Sequence, residues 1–208
     1  MTKNFYNGVA PIKKNSKCAV IVAHPDDETL WAGGMILSNT QVDWTIITIC
    51  RKSDTNRAPK FFKTLDNFKA AGFMADLDDG PEQNSLSSIE IQKTIMELLP
   101  SSMFEIIITH SLDGEYTRHL RHEETANAVL SLWRNKKVSA NQLWTFAYED
   151  SNGKYLPKAI VEADLLVELT DEIWQRKYNI ITEIYGFDKD SFEARTTPRK
   201  EAFWRMKI

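Results

Sequence analysis

A chain of 208 residues, 42% of them apolar and 26% charged, can bury a core without disulfide or metal staples and fits one domain better than two. Its formal net charge of −3 and scattered Lys and Arg exclude the basic face of a nucleic-acid binder. No apolar run approaches the ~20 residues that span a bilayer, and Met1 to Asn15 lacks the apolar stretch of a secretory signal.

The expectation is a cytoplasmic, single-domain protein over residues 1–208, with no membrane insertion and no nucleic-acid partner. In chain order, the first continuous apolar run is Cys18–Ala23. Continuous runs, unlike alternating ones, suit strands covered on both faces of a parallel sheet. It ends in His24-Pro25-Asp26-Asp27-Glu28, after which Thr29, Leu30, Trp31 and Ala32 suggest a helix. Trp44–Cys50 is a second run, followed by a polar loop over Arg51–Pro59. Phe62, Leu65, Phe68 and Gly72 share a helical face, and Asp78-Asp79-Gly80-Pro81 reads as a turn.

A further helix starts near Ser87 and Ser88, carries Ile91, Ile95, Leu98 and Leu99 on one face, and stops at Pro100. The run Phe104–Thr109 is the third strand and ends at His110. Thr125 to Trp133 reads as a helix, Leu143–Tyr148 as the fourth strand, and Leu165–Leu169 as a shorter one. Thr170 to Tyr185 is an amphipathic helix bearing Ile173, Trp174, Lys177, Ile180, Ile181 and Ile184. Thr196–Arg199 breaks the chain before a short apolar tail. Strands alternating with helices predict an α/β fold: a Rossmann-like three-layer domain with a mostly parallel sheet and helices on both faces. Cys18 and Cys50 sit within apolar runs, which points to two buried thiols in a reducing compartment.

Binding sites in open α/β sheets form at the carboxyl ends of strands. All four histidines (His24, His110, His119 and His122) fall after the first or the third strand. Asp26 and Asp27 repel one another. A helix N-terminus would stabilise one of them, and a cation would stabilise both. Capping is the usual role of such a pair, but His24 three residues before Asp27 favours a metal. His119 and His122 can face the same way on an opening helix. Two His and one carboxylate form a common catalytic zinc set with a position left open. The chain has no Gly-x-Gly-x-x-Gly after its first strand and no Gly-x-Ser-x-Gly elbow.

Ala23-His24-Pro25-Asp26-Asp27-Glu28 followed by Gly33-Gly34 resembles the signature of the PIG-L/LmbE-like zinc-dependent N-deacetylases. Gly114-Glu115-Tyr116 before His119-Leu120-Arg121-His122 is similar to that family's second motif. The resemblance implies His24, Asp27 and His122 as zinc ligands, with Fe2+ or another divalent metal open to the same set. It implies Asp26 as general base and a protonated His119 as the group that polarises the amide oxygen. It further implies hydrolysis of an N-acyl amide, most often N-acetyl, on a small polar molecule such as an amino sugar or glycoside.

The pattern is broken in two places. Arg121 stands where the second motif has Asp, so His119 must be oriented from elsewhere, by Glu115, Glu123 or Asp113. Lys63 and Asp66 replace an Arg-x-x-Glu, so the substrate contacts expected are Arg51, Arg57, Lys63 and Glu115. Trp31 and Trp144 are read as core. The rival readings are a metal- or sugar-binding protein that has lost catalysis, and a metal hydrolase acting on another acyl or carbamoyl amide. The sequence leaves the oligomeric state open.

Overall fold

The continuous apolar runs become the centre of one eight-stranded sheet. The computed structural model describes residues 4–8, 10, 12–116 and 119–207; Thr117 and Arg118, which open the second histidine cluster, lie outside them. The elements are β1 (Asn4–Asn7), β2 (Lys17–Val22), α1 (Asp27–Ser38), β3 (Asp43–Thr48), α2 (Arg57–Phe68), β4 (Ala71–Met74), α3 (Ser88–Leu98) and β5 (Met103–Thr109). There follow α4 (Leu120–Arg134), β6 (Ser139–Phe146), a small hairpin of β7 (Tyr148–Glu149) and β8 (Lys158–Ala159), and β9 (Leu165–Glu168). The last are α5 (Asp171–Asn179) with a π-helical turn at Ile180–Ile184, α6 (Phe192–Thr196) and β10 (Lys200–Arg205).

The strand order is β1-β9-β10-β6-β5-β2-β3-β4. The block β6-β5-β2-β3-β4 is parallel throughout. β10 runs antiparallel to both β6 and β9. β2 turns Cys18, Val20 and Val22 into one core and Ala19 and Ile21 into the other, so both faces of the sheet are covered. This is why its sequence shows no polar alternation. Helix α1 is buried from Asp27 to Leu37, apolar on every side as a central helix must be. Among the described residues no helix is long and apolar enough to cross a membrane.

Several boundaries differ from the sequence reading, each for a local reason. Asp54 Oδ1 accepts from the backbone N–H groups of Asn56 and Arg57, both at 2.9 Å. The helix therefore begins at Arg57 inside the expected loop, with Pro59 tolerated in its first turn. Lys69 takes φ 54 and ends α2, so Gly72 lies in edge strand β4 and not on the helix. A Cβ at Gly72 would meet Leu65 Cδ1 at 2.5 Å and the carbonyl oxygen of Ile46 at 2.8 Å. Helix α4 starts at Leu120 and so carries His122 in its first turn. The apolar tail is β10, paired on both sides. Cys18 and Cys50 are free and buried.

Candidate metal centre

The chain leaves β2 for α1 and, on the other side of the sheet's centre, β5 for α4. The strand order reverses between β2 and β5, which makes the carboxyl ends of these two strands the crevice of the fold. Into it the β2–α1 turn projects His24, Asp26 and Asp27, while the β5–α4 connection brings His110, Glu115, Tyr116, His119 and His122.

The β2–α1 turn is under strain. Asp26 has φ 118, a region that residues with a Cβ avoid. Its side chain makes no capping hydrogen bond to α1, so helix capping does not account for it. Glu28 holds the turn from behind. It is buried and accepts hydrogen bonds from the Asp26 backbone N–H at 3.0 Å and the Tyr185 hydroxyl at 2.7 Å. The π-helical turn brings Tyr185 to that point.

Three donor atoms converge. His24 Nδ1 lies 3.1 Å from Asp27 Oδ2 and 3.2 Å from His122 Nε2, and Asp27 Oδ2 lies 3.3 Å from His122 Nε2. Ligands at about 2.0–2.1 Å with tetrahedral angles sit roughly 3.3 Å apart, so these atoms form one face of a zinc-sized tetrahedron. Each is backed by a second partner, as metal-ligand side chains usually are. His122 Nδ1 lies 2.7 Å from Glu115 Oε2, His24 Nε2 lies 3.0 Å from Asp79 Oδ1, and the Trp31 indole donates to Asp27 Oδ1 at 3.2 Å. Burial opposes charge on His122, yet Asp27 and Glu115 outweigh it and push its pKa up to about 10. Burial also opposes charge on Asp27, and the histidines around it hold its carboxyl well below the usual range. The electrostatics call for a positive charge at this point, a proton or a metal ion.

His110 also approaches Asp27, at 3.5 Å, but both its nitrogens are used. Nε2 accepts from the Ala23 backbone N–H at 2.9 Å, which leaves Nδ1–H to donate to Glu115 Oε2 at 3.0 Å. It is a buried neutral imidazole, its pKa lowered by burial and by His122, and it has no lone pair to offer a metal.

Above the donors opens a cavity of about 240 Å³ lined by charged and polar side chains, with Pro25 as the apolar exception. Asp26 faces it, with Oδ1 at 3.5 Å from Arg57 Nη1. Burial, then Asp27, raise the Asp26 pKa well above the usual range, with Arg57 pulling the other way. Arg57 lies over the Phe187 ring at 4.4 Å, and its Nη1 is buried without a hydrogen-bond partner. His119 stacks on His122 at 4.3 Å, and its Nδ1 is also buried without a partner. Burial, then His122 and His24, lower its pKa to about 4. That direction favours the neutral imidazole, where the sequence reading expected the protonated form.

Of the four expected substrate contacts, Arg51 and Arg57 line the cavity and two do not. Lys63 points to solvent from α2, on the far side of the helix from its buried face. Glu115 is 1% exposed and lies behind His110 and His122, also accepting from the Ser111 backbone N–H at 2.7 Å. It orients a donor and does not reach His119. Arg121 is buried in α4, pairs with Glu124 and donates to the Asn84 carbonyl at 3.1 Å. Trp31 and Trp144 are core. Sequence reasoning missed Asp79, Tyr116 and Glu193 as cavity residues. Asp79 was hidden in a turn, and Glu193 arrives from α6 at the far end of the chain.

This sheet order with its crevice is a three-layer α/β fold, and known structures share it. An N,N'-diacetylchitobiose deacetylase from Pyrococcus horikoshii superposes with a TM-score of 0.68 at 13% identity, covering 92% of this chain and 84% of that one. GalB, the 4-carboxy-2-hydroxymuconate hydratase from Pseudomonas putida, gives 0.62 at 12% identity, covering 93% and 97%. In sequence, an uncharacterised protein of Acanthamoeba polyphaga mimivirus is 21% identical over 203 residues, 88% of this chain and 83% of that protein. No family model matches the chain.

Proposed function

We propose that this chain is a zinc-dependent N-deacetylase that hydrolyses the N-acetyl amide of a small polar molecule, an amino sugar or its glycoside. One observation carries the reading: the tetrahedral face formed by His24, Asp27 and His122, with an uncoordinated carboxylate, Asp26, held in a strained backbone beside it. The shared fold with a diacetylchitobiose deacetylase supports it. His24, Asp27 and His122 would hold a divalent ion, which would supply Lewis acidity toward a water and a carbonyl oxygen. The residues do the rest. Asp26 takes the proton of the attacking water, a task suited to a carboxylate whose pKa is raised. That proton passes to the amine nitrogen as the carbon–nitrogen bond breaks, releasing acetate and free amine. His119, neutral, donates a hydrogen bond to the oxygen on which charge develops. Arg57, whose Nη1 pairs with Asp26 without a hydrogen bond, offers a donor for the polar body of the substrate, and Glu193 offers an acceptor in the same cavity.

The test is release of primary amine, read with fluorescamine, from a panel of N-acetylated sugars given to zinc-loaded protein. Turnover of at least one substrate, abolished by a chelator and restored by zinc, is expected. Metal-loaded protein that releases no amine from any of them would sink the proposal.

A further inference from the structure

The turn after β4 read in sequence only as Asp78-Asp79-Gly80-Pro81, a polar break. In the fold it closes over the metal centre. The Asp79 side chain is 7% exposed, with Oδ1 at 3.0 Å from His24 Nε2. Its other oxygen, Oδ2, accepts from Arg51 through Nε at 2.8 Å and through Nη2. Arg51 is held in position by a backbone with φ 71. The turn is fastened at both ends. Ala75 and Leu77 donate backbone N–H groups to the carbonyls of Thr48 and Ile49, and Arg121 and Glu124 grip Asn84 and Leu86. Arg121, anomalous in the sequence motif, thus serves the loop that carries Asp79.

We infer that Asp79, backed by Arg51, is a positioning residue that selects the metal-binding tautomer of His24. This rests on the metal centre proposed above. A neutral imidazole has one N–H and one lone pair. With Nε2–H donated to Asp79, the lone pair on Nδ1 points at Asp27 and His122, where the ion would sit. In the other tautomer Nδ1–H donates to Asp27 Oδ2, 3.1 Å away, and the donor triangle is closed. Asp79 selects the first form because a carboxylate oxygen can only accept. Arg51 occupies the second oxygen and prevents the carboxylate from turning away. Arg51 therefore acts through Asp79 on the metal.

The arrangement predicts a specific behaviour for Asp79→Asn. Arg51 only donates, so it takes the amide oxygen and turns the amide NH2 toward His24. That donor demands a lone pair on Nε2, which places the proton on Nδ1, the wrong tautomer. Zinc affinity of the full-length protein, measured by competition with a chromophoric chelator, is expected to fall about 10–100-fold, the usual effect of losing such an outer partner. Arg51→Ala added to Asp79→Asn frees the amide to flip and should restore part of the loss. A residue that merely stabilised the loop would not show this rescue. Thermal melting of each metal-free variant checks that it folds, and Asp79→Ala, expected to lose affinity with no rescue by Arg51→Ala, serves if Asn does not fold. Unchanged zinc affinity in the folded Asp79 variants, with a raised KM instead, would make Asp79 a substrate contact and overturn the inference. Tight metal binding without amine release would overturn the proposed function and leave this inference standing.

Discussion

Asp26 combines three features that conflict unless it is used: φ 118, burial beside Asp27, and no capping bond to the helix it precedes. Asp26→Asn keeps shape and charge-independent packing but removes the proton acceptor proposed above. Metal content and melting temperature should hold, while kcat falls about 10²–10⁴-fold, the worth of one positioned general base. The loss should appear in kcat more than in KM, because binding does not need the proton transfer. Undiminished turnover would show that another group is the base. Arg57 tunes the same carboxylate. Burial and then Asp27 raise the Asp26 pKa, and Arg57 opposes them. Removing the cation raises that pKa further. The acid limb of the kcat–pH profile, where the base is lost as pH falls, should therefore move to higher pH in Arg57→Ala. A limb that stays in place or moves down would detach it from Asp26.

At the scale of elements, α1 is the piece that must sit correctly, since it carries Asp27 at its first position and is buried along its length. Gly34 lets Leu169, just past β9, and Glu201 of β10 approach it. A Cβ there would lie 2.4 Å from Leu169 Cδ2 and 3.0 Å from Glu201 Oε1. Gly34→Ala should destabilise by about 1–3 kcal/mol, the range for overpacking, against the small gain expected from helix propensity alone. Denaturant unfolding would decide, and a more stable variant would mean the contact is not tight. What could be read from the sequence follows from how local each feature is. The runs Cys18–Ala23 and Phe104–Thr109 are strands because burial on both faces leaves no polar alternation, and His24 to Glu28 is contiguous. β4 was not legible, because a strand reading Ala-Gly-Phe-Met on the sheet edge has three of its four residues partly or fully exposed and lacks that signature. The helix start at Leu120 was obscured because Leu120 to Glu124 reads as charged, and only Arg121 and His122 in the fold show which of these side chains are buried. Asp79 meets His24 across 55 positions of sequence, and no local pattern encodes such a contact.

Across the whole molecule, the last strand and α5 are tied to α1 by one buried ion pair. Glu201 in β10 accepts from Lys177 Nζ and from the backbone N–H groups of Gly34 and Met35, each at 2.7 Å. Lys177 also donates to the Pro198 carbonyl at 3.3 Å, and both charged side chains are fully buried. Burial lowers the Lys177 pKa, and Glu201 opposes that shift. Such a pair adds little against a well-packed apolar replacement, but removing one partner leaves the other charge stranded, at about 3–5 kcal/mol. Lys177→Met should show that full cost. With roughly 2–4 °C per kcal/mol for a domain of this size, the melting temperature should drop by on the order of 10 °C. Glu201→Gln removes the charge and keeps an oxygen for only one of the two α1 amides. Added to Lys177→Met it should recover part of the loss, since no uncompensated carboxylate remains. The informative quantity is the coupling between the two substitutions in a thermal-melt double-mutant cycle. Additive losses would mean that the pair does not join the carboxyl-terminal elements to α1. A strong rescue would show that the buried charges of α5 and β10 are coupled at the carboxylate that holds the α1 amides of Gly34 and Met35.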